Sequence, residues 1–282
     1  MTDVIASIAP IGTIAAMAAP LLFATLGALC TEYAGVLAVF MDGAITVSGF
    51  VAIAVTQATG SPAIGFAASA VSVTAILFLV AFFTERTKAN PFLTGLGLNL
   101  FAAGITSWLS SALFGTRGVI ALTGPAADAA LALPRNAFFP LAVLAAAALA
   151  FALAFTRQGT ALKVAGSAPE FLAVRGIEPA RYRIASWSIA AFFAACAGSV
   201  LAFGLGAWVP NMSAGRGWTA LAAVYLGFRN PLLAIAAVLV FTGADYASTI
   251  MQGTGQVPGM VVLGLPYALA LLVFVLIPRK KN

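Results

Sequence analysis

Residues 63–83 read AIGFAASAVSVTAILFLVAFF, twenty-one consecutive positions without a charge. Apolar residues fall on every face of a helix drawn through them. A helix that is apolar all round is buried in protein or lipid, and about 20 such residues cross the hydrocarbon core of a bilayer. A spanning β-strand would be half as long and would alternate apolar with polar positions. The stretch therefore reads as a transmembrane helix, and residues 136–156 repeat its pattern.

The rest of the chain follows suit. Charge-free runs cover residues 4–31, 89–116, 184–215 and 246–278. Only 8% of the 282 residues are charged and 62% are hydrophobic, with a mean hydropathy of +1.06. A soluble domain carries about 25% charged residues, so a water-soluble fold of this composition could not cover its surface. The expected fold class is all-α: a polytopic membrane helix bundle of about 8–10 transmembrane helices, forming one domain over residues 1–282. Helices are expected near 8–29, 33–57, 62–83, 92–113, 137–156, 184–206, 218–228, 231–250 and 259–277. The segment 218–228 is too short to cross alone and reads as a half-helix or as part of a neighbour. The N-terminal Met-Thr-Asp lacks a basic leader, so the first apolar run is expected to be a retained helix.

Eleven of the fourteen basic residues fall on one face if the chain crosses nine times: Arg86, Lys88, Arg157, Lys163, Arg175, Arg181, Arg183, Arg229, Arg279, Lys280 and Lys281. The positive-inside rule makes that face cytoplasmic, with the N-terminus outside and the C-terminus inside. Arg117, Arg135 and Arg216 fall opposite. The turns Thr59–Ile64 and Leu226–Pro231 echo one another at opposite faces. That echo fits an inverted internal repeat and fits a chance Gly-Pro turn signal equally well.

Cys30 and Cys196 lie in or beside apolar runs and read as small buried side chains. The chain has no His, which removes His metal ligands and a Ser-His-Asp triad. No P-loop, zinc-protease or paired-carboxylate pattern is present, so an enzyme is unsupported, and no metal or nucleic acid is expected to bind.

The polar interruptions carry the functional expectations. Asp42 sits within the apolar segment 33–57, where an acid costs about 2.5–3.5 kcal/mol. Such a residue faces a cavity, a partner or a pathway, and Gly43 beside it can interrupt the helix. Holding an unwound backbone and touching a solute are equal readings. Asn99 follows Gly95 and Gly97, and an amide among small residues reads first as glue between helices, second as a ligand contact. Trp108, Trp187, Trp208 and Trp218 read as interface anchors, with stacking on a planar ligand as the sharper alternative. Glu32 reads as a charge at a helix start, favoured by the helix dipole.

The connection 157–183, RQGTALKVAGSAPEFLAVRGIEPARYR, has five basic and two acidic residues. Ser167 is placed to cap a short helix over 168–175, with Glu170 as its capping-box partner and Gly176 as its stop.

Three stretches resemble the permease subunits of bacterial ABC importers of the simple-sugar and purine-nucleoside type, relatives of the ribose and branched-chain amino acid permeases. Glu32–Leu37 through Met41–Ile45 resembles the family's ERSGVLNLGVEGIM, with Asp42 in place of Glu. Ala89–Pro91 through Gly95–Leu100 resembles ANQVVSGLALNL. Gly166–Glu170 through Gly176–Ile177 resembles GENPEAARAAGI, keeping the Glu-to-Gly spacing of six. Gly217–Ala223 and Gly264–Tyr267 add to the likeness.

The resemblance implies a coupling helix in the 157–183 loop, carried by Gly166, Ser167, Glu170, Arg175 and Gly176, that docks on a separate ATPase subunit holding ATP and Mg. It also implies a second, longer permease chain, a periplasmic or lipid-anchored binding protein, and a place in the bacterial inner membrane. This chain would bind no cofactor itself. It would form half of a pathway for a nucleoside, sugar or similar solute, lined by Asp42, Asn99 and Trp218. The rival reading is a stand-alone secondary transporter that couples ions through Asp42.

Overall fold

The structure is a computed structural model that describes residues 2–254, with side-chain surroundings from 12 to 252. The expected helix at 259–277, the Gly264–Tyr267 likeness and the cluster Arg279–Lys281 lie outside the described residues. Within them the chain forms α1 (Thr2–Tyr33), α2 (Met41–Thr59), α3 (Pro62–Thr87), α4 (Pro91–Phe114), β1 (Ile120–Ala121), α5 (Pro125–Leu131), α6 (Arg135–Phe155), α7 (Arg157–Ser167), α8 (Pro169–Val174), α9 (Pro179–Leu205), β2 (Ala207–Trp208), α10 (Arg216–Leu226) and α11 (Pro231–Thr254). Seven of these helices, α1, α2, α3, α4, α6, α9 and α11, are long and apolar enough to span a membrane. The polytopic helical bundle is as expected.

The helix boundaries follow local chemistry. α3, α4, α9 and α11 each open on a proline, whose missing N–H and fixed φ suit the first helical position. Asn90 and Asn230 precede two of those prolines, and their side-chain oxygens accept from Phe92 N and Leu232 N, each at 2.9 Å. Gly60, Gly115 and Gly206 close α2, α4 and α9 in the left-handed conformation.

α9 lies at the centre, packed along α1, α2 and α3. Its buried face is almost all small: Ala190, Ala191, Ala194, Ala195, Ala197, Gly198 and Ala202. Lipid tails give helices no hydrophobic reason to associate, so close backbone approach and hydrogen bonds must do it. Ser48 supplies the bonds, donating to Ala194 O at 3.0 Å while its own carbonyl accepts from Ser69 Oγ at 2.9 Å. Around this seam Phe40 stacks on Trp187 at 4.3 Å, and Phe50 meets Trp208 edge-on at 5.2 Å. Cys30 and Cys196 are buried thiols, as their setting suggested.

At the end of the bundle where α4 and α9 stop, β1 pairs with β2 antiparallel, Ile120 opposite Trp208. Gln57 ties α2 to this ribbon through Thr123 N at 3.0 Å and Thr123 Oγ1 at 2.9 Å. At the opposite end Glu85 of α3 faces Arg183 of α9 at 3.6 Å, and α7 and α8 cover the helix ends.

Four local expectations are corrected. The helix expected over 33–57 begins only at Met41, because residues 34–40 form a non-helical connector. Glu32 lies in the last turn of α1, not at a helix start, and there the dipole opposes a negative charge. Trp187 and Trp208 are 2% and 1% exposed, so they are core aromatics rather than interface anchors. The 157–183 connection holds two helices, not one, and Ser167 is the last residue of α7. Its hydroxyl donates to Lys163 O at 3.0 Å, and α8 has Ala168 at its N-cap with no side-chain cap bond, so the capping box does not form. Gly176 does sit just past α8 at φ 73°.

Gly35 and Gly166 join the α1–α2 connector to α7. Gly35 has φ 79°, and its backbone touches that of Gly166. A Cβ on Gly166 would overlap the Tyr33 carbonyl oxygen and the Gly35 nitrogen. Gly166→Ala should therefore lower stability by about 1–3 kcal/mol, read as a fall in the unfolding midpoint of the purified protein in detergent. An unchanged midpoint would show that this contact is not tight.

Candidate functional site

The connector 34–40 and the segment 206–215 both carry the chain to short or interrupted helices in the interior of the bundle. Asn99 marks the depth of the first. It lies eight residues beyond Pro91, about 12 Å along α4. Its Nδ2 donates to Val39 O at 2.7 Å and its Oδ1 accepts from Gly43 N at 2.8 Å. One amide thus satisfies a carbonyl of the connector and an amide nitrogen in the first turn of α2. Gly43 permits this approach, since a Cβ there would sit 2.9 Å from Asn99 Oδ1.

The second break meets the first. After β2 the chain turns back into the bundle. Trp208 Nε1 donates to Thr46 O at 3.2 Å, and Thr46 Oγ1 pairs with Ser213 Oγ at 3.1 Å. Asn211, Ala214 and Gly215 have φ of 55°, 47° and 80°. Side chains rarely adopt such values, and held strain of this kind clusters at functional sites. α10 then starts beside α2: Gly217 N donates to Asp42 Oδ1 at 3.1 Å. A Cβ on Gly217 would overlap the Asp42 backbone. Two helix N-termini therefore abut, with Asp42 in the first turn of one and capping the other. Both positions favour a carboxylate, because a helix N-terminus carries a partial positive charge.

Asp42, Asn99 and the start of α10 are thus brought together. Both polar side chains bond backbone at helix breaks, which was one of the two readings for Asp42, while Asn99 had been expected to bond across to a neighbouring helix or to touch a ligand. Asp42 lies at a helix start rather than mid-helix because α2 is shorter than expected. Trp218 is one residue from Gly217 and 45% exposed. It shares one face of α10 with Ala222 and Tyr225, away from the buried face of Gly217, Ala220, Leu221 and Val224. Arg216 opens α10 within the bundle instead of at the far face. Its guanidinium lies near Met212 O and Ser213 O at 3.5 and 3.3 Å.

Gly166, Ser167, Glu170, Arg175 and Gly176 lie elsewhere, at the end of the bundle with α7 and α8. Gly166 packs on the connector, whereas Glu170 and Ser167 are exposed and Arg175 lies over the Phe171 ring at 4.6 Å. α8 is held by buried Leu172 and turns Phe171 and Val174 outward, 53% and 89% exposed.

A third cluster was not foreseen. Glu32 Oε1 meets Arg229 at 2.6 Å and accepts from Tyr225 Oη at 3.0 Å. Tyr33 Oη donates to Arg229 O, and Lys163 lies 5.4 Å over the Tyr33 ring. These groups line a cavity of about 540 Å3 beside Gly166 and Ser167. The Glu32 carboxylate at the wrong helix end is compensated here by a guanidinium and a phenol. Glu32 and Arg229 are 197 residues apart, and no local pattern joins them. The partners of Asp42 and Asn99 were hidden for the same reason, although the small polar run Met212–Gly217 was a signal for an irregular segment.

A family described as branched-chain amino acid transport system / permease component matches residues 11–277. The chain is similar to a protein of Haloferax volcanii provisionally named a glucose ABC transporter permease. The two are 30% identical over 223 residues, covering 75% of this chain and 68% of the relative. It is also similar to a nucleoside ABC transporter permease of Lactococcus lactis subsp. cremoris, 25% identical over 91% of this chain and 88% of the relative. A guanosine ABC transporter permease of Bacillus subtilis is 25% identical over 90% and 87%. No solved structure gives a significant match.

The junction predicts a contrast between two variants. Asp42→Asn keeps an oxygen for Gly217 N and should unfold near the wild-type midpoint. Asp42→Ala removes the cap and should lose about 0.5–2 kcal/mol. Thermal unfolding in detergent compares them; equal loss in both would mean that charge, not capping, is what the junction requires.

Proposed function

This chain belongs to the branched-chain amino acid transport system / permease component family, and on that premise we propose that it forms half of the translocation pathway of an ATP-driven importer of a small polar solute. The names of the similar permeases, one for glucose and two for nucleosides, point to a simple sugar or a nucleoside as the solute. The observation that carries the reading is the meeting of two helix N-termini at Asp42 and Gly217 inside the bundle. Discontinuous helices of this kind line substrate sites in transporters. Trp218, exposed on the free face of α10, is the pathway aromatic in this proposal, with Asp42 and Asn99 fixing the backbone around it.

In this reading ATP and Mg act on a separate ATPase, which docks on α7 and α8. Phe171 and Val174 are large apolar side chains exposed outside the spanning helices, and Glu170 and Arg175 flank them. An exposed apolar pair rimmed by charge is what a protein interface offers. Gly166 then passes movement of the loop to the α1–α2 connector that it touches. A second permease chain, longer than this one, completes the pore, and a periplasmic or lipid-anchored binding protein delivers the solute. The excess of Lys and Arg on the face of α7 and α8 supports a cytoplasmic position for that face, in the inner membrane, with the N-terminus outside. An ion-coupled secondary transporter is less supported, because Asp42 is engaged in capping α10.

Val174→Asp tests the docking. It should weaken binding of the proposed ATPase partner by about tenfold or more, read by co-purification and by solute-stimulated ATP hydrolysis, with the unfolding midpoint unchanged. Full ATPase binding in this variant and in Glu170→Lys would remove α8 from the interface. Solute uptake that survives deletion of the ATPase would end the importer reading itself.

A further inference from the structure

A cleft of about 580 Å3 lies between the end of α6, α7 and α8. Phe155, Val164 and Leu172 give it an apolar floor, Arg157 and Arg175 lie in its wall, and no carboxylate lines it. Among the described residues neither arginine has an acidic partner within ion-pair distance. Arg175 is instead held over the Phe171 ring, which fixes the guanidinium without neutralising it. The cleft on the other side of α7 differs: its Arg181 is paired with Glu178 at 2.8 Å.

The position of the cleft selects its occupant. Phe155 is the last residue of a spanning helix, so the cleft opens where hydrocarbon gives way to headgroups. Below it Phe151 and Phe155 are 62% and 77% exposed, with ring centroids 5.0 Å apart, and they continue the apolar floor down α6 into the bilayer. Two unneutralised guanidinium groups above an apolar track match a molecule with an anionic head and a hydrocarbon tail. Arginine suits a phosphate because its planar fork can bond two oxygens. Basic pockets beside transmembrane helices bind anionic headgroups in this way.

We propose that this cleft is a specific site for an anionic phospholipid, its phosphate between Arg157 and Arg175 and one acyl chain along Phe151 and Phe155. The site rests on α6 as a membrane span and not on the import reading. A lipid held there anchors α8 to the bilayer through Arg175, the residue that closes that helix. The charge of the surrounding lipid thereby becomes a determinant of where α8 presents Phe171 and Val174.

The test uses the full-length chain alone, reconstituted with equal amounts of phosphatidylglycerol and phosphatidylcholine of matched chains. The protein is extracted into mild detergent and its retained lipids are read by native mass spectrometry. The wild type should retain phosphatidylglycerol in preference. Arg157→Gln should reduce that preference about fivefold, and Arg157→Gln with Arg175→Gln further. Arg181→Gln should leave it unchanged. The double Lys variant, which keeps both charges, should retain most of the preference and shows that loss in the Gln variants is not misfolding. Equal retention of the two lipids by the wild type, an unchanged preference in the double Gln variant, or equal loss in the Lys variant would overturn the proposal. Excess inorganic phosphate separates a lipid site from a free-phosphate site: retained phosphatidylglycerol supports the lipid, and its displacement refutes it.

Discussion

Inside a bilayer a broken helix has no water to satisfy its backbone, and the centre of this protein is organised by that constraint. α2 and α10 both begin within the bundle, and the groups they leave open are met by two side chains. Asn99 serves the connector with its amide nitrogen and the first turn of α2 with its amide oxygen, and Asp42 serves the start of α10. Because each side chain belongs to one element and bonds another, α4, α2 and α10 are fixed relative to one another at a single point. The small seam of α9 and α2, with Ser48 at its crossing, holds the remaining helices close enough for that point to exist.

The same connector reaches the far end of the bundle. It leaves α1 at Tyr33, touches α7 through Gly35 and Gly166, and enters α2 at Met41. The Glu32 and Arg229 pair joins the end of α1 to the turn between α10 and α11. α7 is thus in contact with the connector that leads to Asp42, and the end of α1 beside it is tied to the α10–α11 turn. Both are backbone or ion-pair contacts between elements distant in sequence.

The spanning helices were legible because burial in lipid demands about 20 apolar residues regardless of partners. The residues 63–83 and 136–156 carry that demand on every face, and α3 and α6 appear where expected. Helix ends were legible where they depend on local chemistry, as at Asn90-Pro91, Asn230-Pro231 and Gly176. The reading failed where a choice depended on something distant. Residues 34–40 look as apolar as a helix, but a helix there would deprive Asn99 and Gly166 of their contacts. Ser167 and Glu170 have capping-box spacing, yet Ser167 is drawn into α7 by Thr156, whose hydroxyl accepts from Gly159 N at 3.0 Å and starts that helix earlier.

The sequence by itself determined that this protein lives in a membrane, which stretches are apolar enough to cross it, which loops are basic, and that Asp42 and Asn99 were polar groups in need of partners. The tertiary structure alone decided who those partners are. Hydropathy and capping act over one helical turn or one span, so the chain states them locally. The bonds of Asp42 to Gly217 and of Asn99 to Val39 and Gly43 link residues 175, 60 and 56 positions apart. Only packing brings such residues within 3 Å or so of one another.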